Sequence, residues 1–321
     1  MNVLLMYYGT PYRPSEIEAY YTDIRHGRPP TPELLQELVE RYELIGKSPL
    51  NEITFSLARR LEAELNLRQN RYPAGLRAAP PPREPRGDAR VYVGAKHNAP
   101  YIAGAVRQMA EDGVERAVAL VAAPHYSLRS IAEYRERLDL ALAELGEPFE
   151  VHFVQDYYAH PGYVTAVARR VVAALWRVRD PGQAAVFFTA HSIPLRAAEA
   201  DGGVYERQVR TTAEHVARLL GIRHARVAWQ SAGRTEEAWL GPDINDALRA
   251  AAEEGFREAV VAAVGFPADH LEVFYDLDYE AQQTARELGM HLVRAASLND
   301  DEDYVRVLAD LAQAAWQEAG A

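Results

Sequence analysis

Eight short runs of Val, Ala, Leu, Phe and Tyr punctuate the chain: Val3 to Tyr8, Arg90 to Ala95, Arg116 to Ala123, Phe149 to Gln155, Gln183 to Ala190, Ala225 to Gln230, Glu258 to Gly265 and Met290 to Ala295. Longer stretches of helical spacing, rich in Glu and Arg, join them. Near-continuous apolar runs mark strands buried on both faces, and their alternation with amphipathic helices predicts parallel βαβ units. Four runs precede Asp156 and four follow it, so the expected architecture is α/β, with two halves that each hold a four-stranded parallel sheet flanked by helices.

The expected halves are residues 1–160 and 161–299. Tyr304, Val307, Leu308, Leu311 and Trp316 stand at helical spacing in a final segment, 300–321, which is expected to pack back on the first half. Ser15 to Asn70 reads as a long helical region. The stretch 71–88 holds Pro73, Pro80, Pro81, Pro82 and Pro85 and reads as a solvated surface loop without a function.

Composition narrows the chemistry. With 35 Lys plus Arg against 46 Asp plus Glu, the 321-residue chain carries a formal charge of −11, which disfavours nucleic acid and anionic lipid as partners. It has no cysteine, which removes disulfides, thiolate nucleophiles, cysteine-ligated zinc and iron–sulfur clusters held in the usual way. Any metal must be met by His, Asp, Glu or Tyr. The N-terminal residues lack the features of a secretory signal, and apolar stretches such as Ala259 to Ala268 fall short of the roughly 20 residues that span a bilayer. A soluble cytoplasmic protein is expected.

Ligands of open parallel sheets bind beyond the carboxyl ends of the strands. Here those ends are polar and aromatic: Tyr8-Gly9-Thr10-Pro11, Lys96-His97-Asn98, Pro124-His125-Tyr126-Ser127, Thr189-Ala190-His191-Ser192, Gln230-Ser231, and Gly265-Phe266 followed by Asp269-His270. Convergence on one cleft is expected, with His97 and His125 open between structural and functional roles. After the seventh run, Glu272, Asp276 and Glu280 stand at i, i+4 and i+8. On an α-helix they share one face, an arrangement of like charges that suits transient passage of a divalent cation. A solvated acidic face is the competing explanation.

Familiar signatures are missing. No G-x-G-x-x-G follows a strand, and there is neither an H-E-x-x-H helix nor a G-x-S-x-G elbow. Gly46-Lys47-Ser48 imitates the end of a phosphate loop, but Arg41 stands where its first glycine belongs.

Three ordered blocks resemble the ferrochelatases, and within them the cysteine-free bacterial coproporphyrin ferrochelatases. They are Phe187-Phe188-Thr189-Ala190-His191-Ser192-Ile193-Pro194 with Gly203 and Tyr205; Trp229-Gln230-Ser231 with Trp239-Leu240-Gly241-Pro242-Asp243; and Gly265-Phe266 with Asp269-His270-Leu271-Glu272. The resemblance implies two Rossmann-like halves with a tetrapyrrole between them, into which ferrous iron is inserted. It implies that His191 and Glu272 face each other across the macrocycle's centre as catalytic and metal-handling residues, with Asp276 and Glu280 completing a metal path. Tyr8 matches a tyrosine on the opposite face that can ligate the product iron. Arg25, Arg41, Tyr42, Ser48 and Tyr134 match porphyrin-contacting positions, while His26 stands where a second arginine often lies.

The implied substrates are coproporphyrin III and Fe²⁺, with no tightly bound cofactor, a monomeric chain and transient contact with a coprohaem decarboxylase. Protoporphyrin IX as substrate, and a non-catalytic tetrapyrrole or haem carrier, stay open beside this. A neutral imidazole can accept a proton or bind a borderline metal, so His191 fits either task, and Glu272 could relay protons or hand over the ion. An anionic porphyrin meeting a −11 protein requires a local cationic rim, for which Arg25, Arg41, Lys47 and Arg28 are candidates.

Overall fold

The computed structural model describes residues 1–70, 89–233 and 237–318; the proline-rich loop expected over 71–88 lies outside the described residues. Two wholly parallel four-stranded sheets form the centre. The first, in the order β2-β1-β3-β4, comprises β1 (Asn2–Tyr7), β2 (Arg90–Ala95), β3 (Arg116–Val121) and β4 (Glu150–Phe153). The second repeats that order as β6-β5-β7-β8, from β5 (Ala185–His191), β6 (Ala225–Gln230), β7 (Glu258–Ala262) and β8 (His291–Arg294). In this arrangement the connections reverse beside the first strand of each sheet, so ligand crevices open past the ends of β1 and β3 and of β5 and β7.

The long helical region is not continuous. It divides into a 3₁₀ turn (Pro14–Glu16), α1 (Ile17–Ile24), α2 (Pro32–Ile45) and α3 (Leu50–Asn70). Pro29-Pro30 and Pro49 cannot continue a helix, and Gly46 turns the chain out of α2 at φ +74°. Thr31 caps α2 by accepting the Leu34 N–H at 3.4 Å, with Pro32 at the first helical position.

Side chains alternate across β1. Val3 and Leu5 pack with Leu57, Leu61 and Leu65 of α3, whereas Leu4 and Met6 pack with α4 (Ile102–Glu111) and α5 (Ile131–Glu144). The second sheet is covered by α6 (Pro161–Leu175), α7 (Leu195–Ala200) and α8 (Val204–Leu220) on one side and by α9 (Ile244–Glu253) and α10 (Ala281–Glu287) on the other. The last helix, α11 (Glu302–Glu318), packs against α3 and β3 and also against α6, and one apolar cluster runs from Leu5 through Tyr304 and Leu308 to Phe188. Among the described residues no helix is long and apolar enough to cross a membrane.

Where α11 meets α6, the hydroxyls of Tyr157 and Tyr304 bond each other at 2.6 Å inside this cluster. Tyr304→Phe strands one buried hydroxyl and is expected to cost about 1–3 kcal/mol, whereas Tyr157→Phe with Tyr304→Phe removes both partners and recovers much of that loss. Denaturant unfolding of the three variants checks this; additive losses in the double variant would contradict it.

Candidate active site

Three segments far apart in sequence lock together at the carboxyl end of the second sheet. The Ser192 N–H donates to the Gln230 carbonyl and its hydroxyl to the Leu240 carbonyl, each at 2.7 Å, which turns the chain directly after β5. Gly265, leaving β7, presses on Ala190: a Cβ there would lie 2.5 Å from the Ala190 Cβ and 2.8 Å from its Cα. Only glycine permits that approach. The fully buried Gln230 amide links the segments, accepting from the Thr189 hydroxyl at 2.8 Å and donating to Asp276 Oδ2 at 3.2 Å.

His191 ends β5. Its Nδ1 bonds the Ser192 carbonyl, so Nδ1 carries a proton and, in the neutral ring, Nε2 carries the lone pair. Tyr205 on α8 holds the His191 carbonyl through its hydroxyl at 2.9 Å. The His191 Nε2 lies 3.7 Å from Glu272 Oε2, and His270 Nε2 approaches the same oxygen at 3.7 Å while its Nδ1–H donates to the Ala268 carbonyl at 3.1 Å. Two imidazoles thus aim the same nitrogen at one carboxylate. That geometry is satisfied by protons on those nitrogens or by a cation shared with them.

The Glu272 side chain lies deep among protein atoms yet keeps 29 % exposure, because it lines a recess open to solvent. Burial alone would raise its pKa; the opposing charge of His191, with the hydrogen bond and charge of His270 and a hydrogen bond from Ser231, outweighs burial and holds it at about 2. It is ionised across the physiological range.

The acidic row departs from the α-helical face expected of it. Val273–Glu280 is π-helical, with i→i+5 bonding, so the three carboxylates occupy different environments. Glu272 lines the recess. Asp276 is buried behind it, accepting from Gln230 and from the Ser231 hydroxyl, and burial followed by the Glu272 charge pushes it up to about 6. Glu280 ends the segment, partly exposed beside Tyr275. Among the described residues, no three His, Asp or Glu side chains converge closely enough to cage a metal by themselves.

A sequence model of the ferrochelatase family matches residues 1–316. The chain belongs to the ferrochelatase family. It is 63% identical over 316 residues to the ferrochelatase of Thermus thermophilus, covering 98% of this chain and 99% of that one. Over 323 residues it is 40% identical to the coproporphyrin III ferrochelatase of Geobacillus kaustophilus, covering 99% and 97%. Solved chelatases share the fold. CbiX, the terminal enzyme of sirohaem biosynthesis in denitrifying bacteria, aligns with a TM-score of 0.55 at 15% identity over 98% of this chain and 99% of that one. The sirohydrochlorin chelatase SirB of Bacillus subtilis, in complex with cobalt, aligns at 0.58 with 8% identity over 98% and 94%.

A second group of candidate site residues comes from the first half. Tyr8, directly after β1, packs edge-on against His97 with ring centroids 4.5 Å apart, and burial, then the Glu272 charge, raises its pKa far above the ordinary phenol value. The Tyr42 hydroxyl bonds Thr10 Oγ1 at 2.9 Å; burial drives its pKa to about 12, with Glu272 adding to the rise. The Glu272 charge raises the pKa of Tyr8 and Tyr42 in the first half and of Tyr205 in the second. Tyr134 is buried, with the Lys96 ammonium 5.2 Å from its ring and 5.7 Å from that of Tyr8. Lys96 is itself buried and pairs with Glu133 at 2.5 Å.

The supposed cationic rim is more varied. Arg41 pairs with Glu37 at 2.8 Å and lies 4.4 Å over the Tyr275 ring, so it spans the mouth between α2 and the π-helix. Arg25 sits on α1's end near Tyr21, Arg28 is exposed, and Lys47 pairs with Glu52. His270, Ser231, Gln230, Tyr205 and Lys96 join the site without having been singled out for a role by sequence. Their signal there is only their place at strand ends or within the three blocks.

His97 and His125 separate. His97 donates from Nδ1 to Asp23 at 2.6 Å behind Tyr8; burial, then Lys96, lowers its pKa to about 4. His125 is 3 % exposed and packs against the rings of Tyr158 and Tyr205. The Thr212 hydroxyl accepts from its Nε2–H at 2.9 Å while donating to the Tyr158 carbonyl, and Nδ1 has no partner among the described residues. Burial holds this imidazole at about 3, against 6.5 for a free one. The folded state binds its proton later than the unfolded state, so stability is full above pH 6.5 and falls as pH drops from there toward 3, by about 1.4 kcal/mol per unit. His125→Gln is expected to flatten the loss of stability between pH 6 and 4.5; parallel curves for variant and parent would contradict this.

Proposed function

We propose that this protein inserts Fe²⁺ into coproporphyrin III to give coprohaem, as a step of haem biosynthesis, with iron as a substrate and not a resident cofactor. One observation carries the choice of a porphyrin with four propionates. Around α1, α2 and α3, Arg25 Nε, Arg41 Nε and Ser48 Oγ are buried with no hydrogen-bond partner among the described residues. Unmade hydrogen bonds of this kind are costly, and a side-chain shift that turns these groups toward the carboxylates of a bound macrocycle would complete them. Relatives named as coproporphyrin III ferrochelatases, at about 40% identity across the chain, favour the same reading.

The reaction exchanges two pyrrole N–H protons for one Fe²⁺ and involves no change of oxidation state. His191 takes the two protons in turn at Nε2, passing the first to solvent before it accepts the second, and the ionised Glu272 at 3.7 Å stabilises the imidazolium formed each time. Asp276 and Glu280, behind and beyond Glu272, offer oxygen ligands to the incoming ion, and Tyr8 faces the macrocycle from the other side.

An anaerobic assay with Fe²⁺ and either coproporphyrin III or protoporphyrin IX, followed by visible absorption, tests the proposal. Faster turnover of coproporphyrin III is expected; preference for protoporphyrin IX, or turnover of neither, would refute it. Arg41→Ala is expected to raise KM for coproporphyrin roughly tenfold and for protoporphyrin less, since a charged hydrogen bond is worth about 1.5–3 kcal/mol. Equal losses for both would remove the propionate argument.

A further inference from the structure

Glu272 and Asp276 stand at the edge of and within a π-helical segment, a form seldom stable by its own hydrogen bonding. The chain just before that segment and the segment's own C-terminal half are both tied to one guanidinium. Arg294, the last residue of β8 and only 15 % exposed, donates from Nη1 to Asp269 Oδ1 at 2.9 Å and from Nε to Asp278 Oδ1 at 2.8 Å. Asp269 lies three residues before Glu272, and Asp278 two after Asp276.

The anchor at Asp269 is itself fixed. Its Oδ1 also accepts from the Ser297 hydroxyl at 2.7 Å, its Oδ2 from Asn299 Nδ2 at 3.0 Å, and its N–H donates to Asn299 Oδ1 at 2.8 Å. Asn299 adopts φ +54°, a conformation asparagine tolerates, and its N–H donates to the Pro267 carbonyl at 2.8 Å. The Arg294 guanidinium also lies 5.8 Å from the Phe274 ring.

We propose that Arg294 is a positioning residue for metal insertion, a clamp that fixes the register of the π-helical segment and so keeps Glu272 and Asp276 placed against His191. The inference rests on the ferrochelatase reading of the recess. A largely buried ion pair adds little net stability compared with apolar packing, and its better-attested use is to select one arrangement among several. Two donors of a rigid fork, aimed at carboxylates nine residues apart, serve that use, whereas the single ammonium of a lysine cannot hold both in the same geometry.

Arg294→Lys and Asp278→Asn test it in the full chain; Asp278 is 39 % exposed, so its substitution is mild. Amide hydrogen exchange over 273–280 is expected to accelerate about tenfold or more in both variants, with β5 and α11 unchanged. The kcat/KM for Fe²⁺ is expected to fall roughly tenfold, with KM for the porphyrin unaltered, because small displacements of reacting groups are costly. Unchanged exchange in the segment, uniformly faster exchange along the whole chain, or local loosening with parental iron kinetics would each overturn the proposal. Absence of insertion by the parent protein would instead overturn the reading beneath it, while the exchange experiment would still report on the clamp.

Discussion

A His191→Ala variant is expected to keep its fold and to lose iron insertion by about a thousandfold, within the range that a positioned proton acceptor supplies. The side chain is 38 % exposed and, among the described residues, its hydrogen bond is to the carbonyl of its own neighbour, so little packing depends on it. The backbone that carries it is held independently: Tyr205 bonds the residue 191 carbonyl, and Ser192 bonds both Gln230 and Leu240. The far-ultraviolet spectrum, unfolding temperature and porphyrin affinity should therefore stay close to the parent's while the anaerobic insertion rate collapses. A rate within a few-fold of the parent would sink the role given to this imidazole.

How much of this site could be read from the sequence depends on what each residue interacts with. The strands were legible because parallel sheets are buried on both faces and leave unbroken apolar runs such as Val3 to Tyr7 and Ala184 to Phe188. The strand ends followed from the same pattern, since polar residues crowded directly after those runs. His191 and Glu272 could be paired only through the resemblance. No local rule links positions so far apart, and the contact exists because Gly265 brings β7 against Ala190.

What escaped the sequence depended on burial or on distant partners. Glu272, Asp276 and Glu280 looked equivalent at α-helical spacing, but the π-helical bonding gives one a recess, one a buried pocket and one the surface. Asp276 meets Ser231, 45 residues away, and that serine's φ of +60° has no sequence mark. Arg41 read as a rim cation; Glu37, one helical turn earlier, and Tyr275 from the other half redirect it across the mouth. His125, flanked by polar residues, stood open between structural and functional roles in the sequence, and its burial against Thr212 shows the structural one.

Glu272→Gln is the other substitution from which a large effect is expected, and it carries a signature that separates charge from shape. The amide fills nearly the same volume, so the recess stays intact. The carboxylate proposed to stabilise a protonated His191 and to pass the metal onward is gone, and kcat should fall by roughly a hundredfold, the size of a lost electrostatic contact to the transition state. Asp276 supplies the signature. Its carboxyl is pushed up to about 6 by burial first and then by the Glu272 charge. As pH falls through that value Asp276 takes a proton and the path loses an anionic ligand, so the parent's kcat/KM for Fe²⁺ should decline on the acid side near pH 6. Neutralising residue 272 removes the second of these causes and leaves the first. The residual activity should therefore show its acid limb at lower pH than the parent's, yet still above the ordinary aspartate range. A pH profile of kcat/KM for both proteins checks this. A limb that stays in place would mean that Asp276 does not sense Glu272, or that the acid limb belongs to another group.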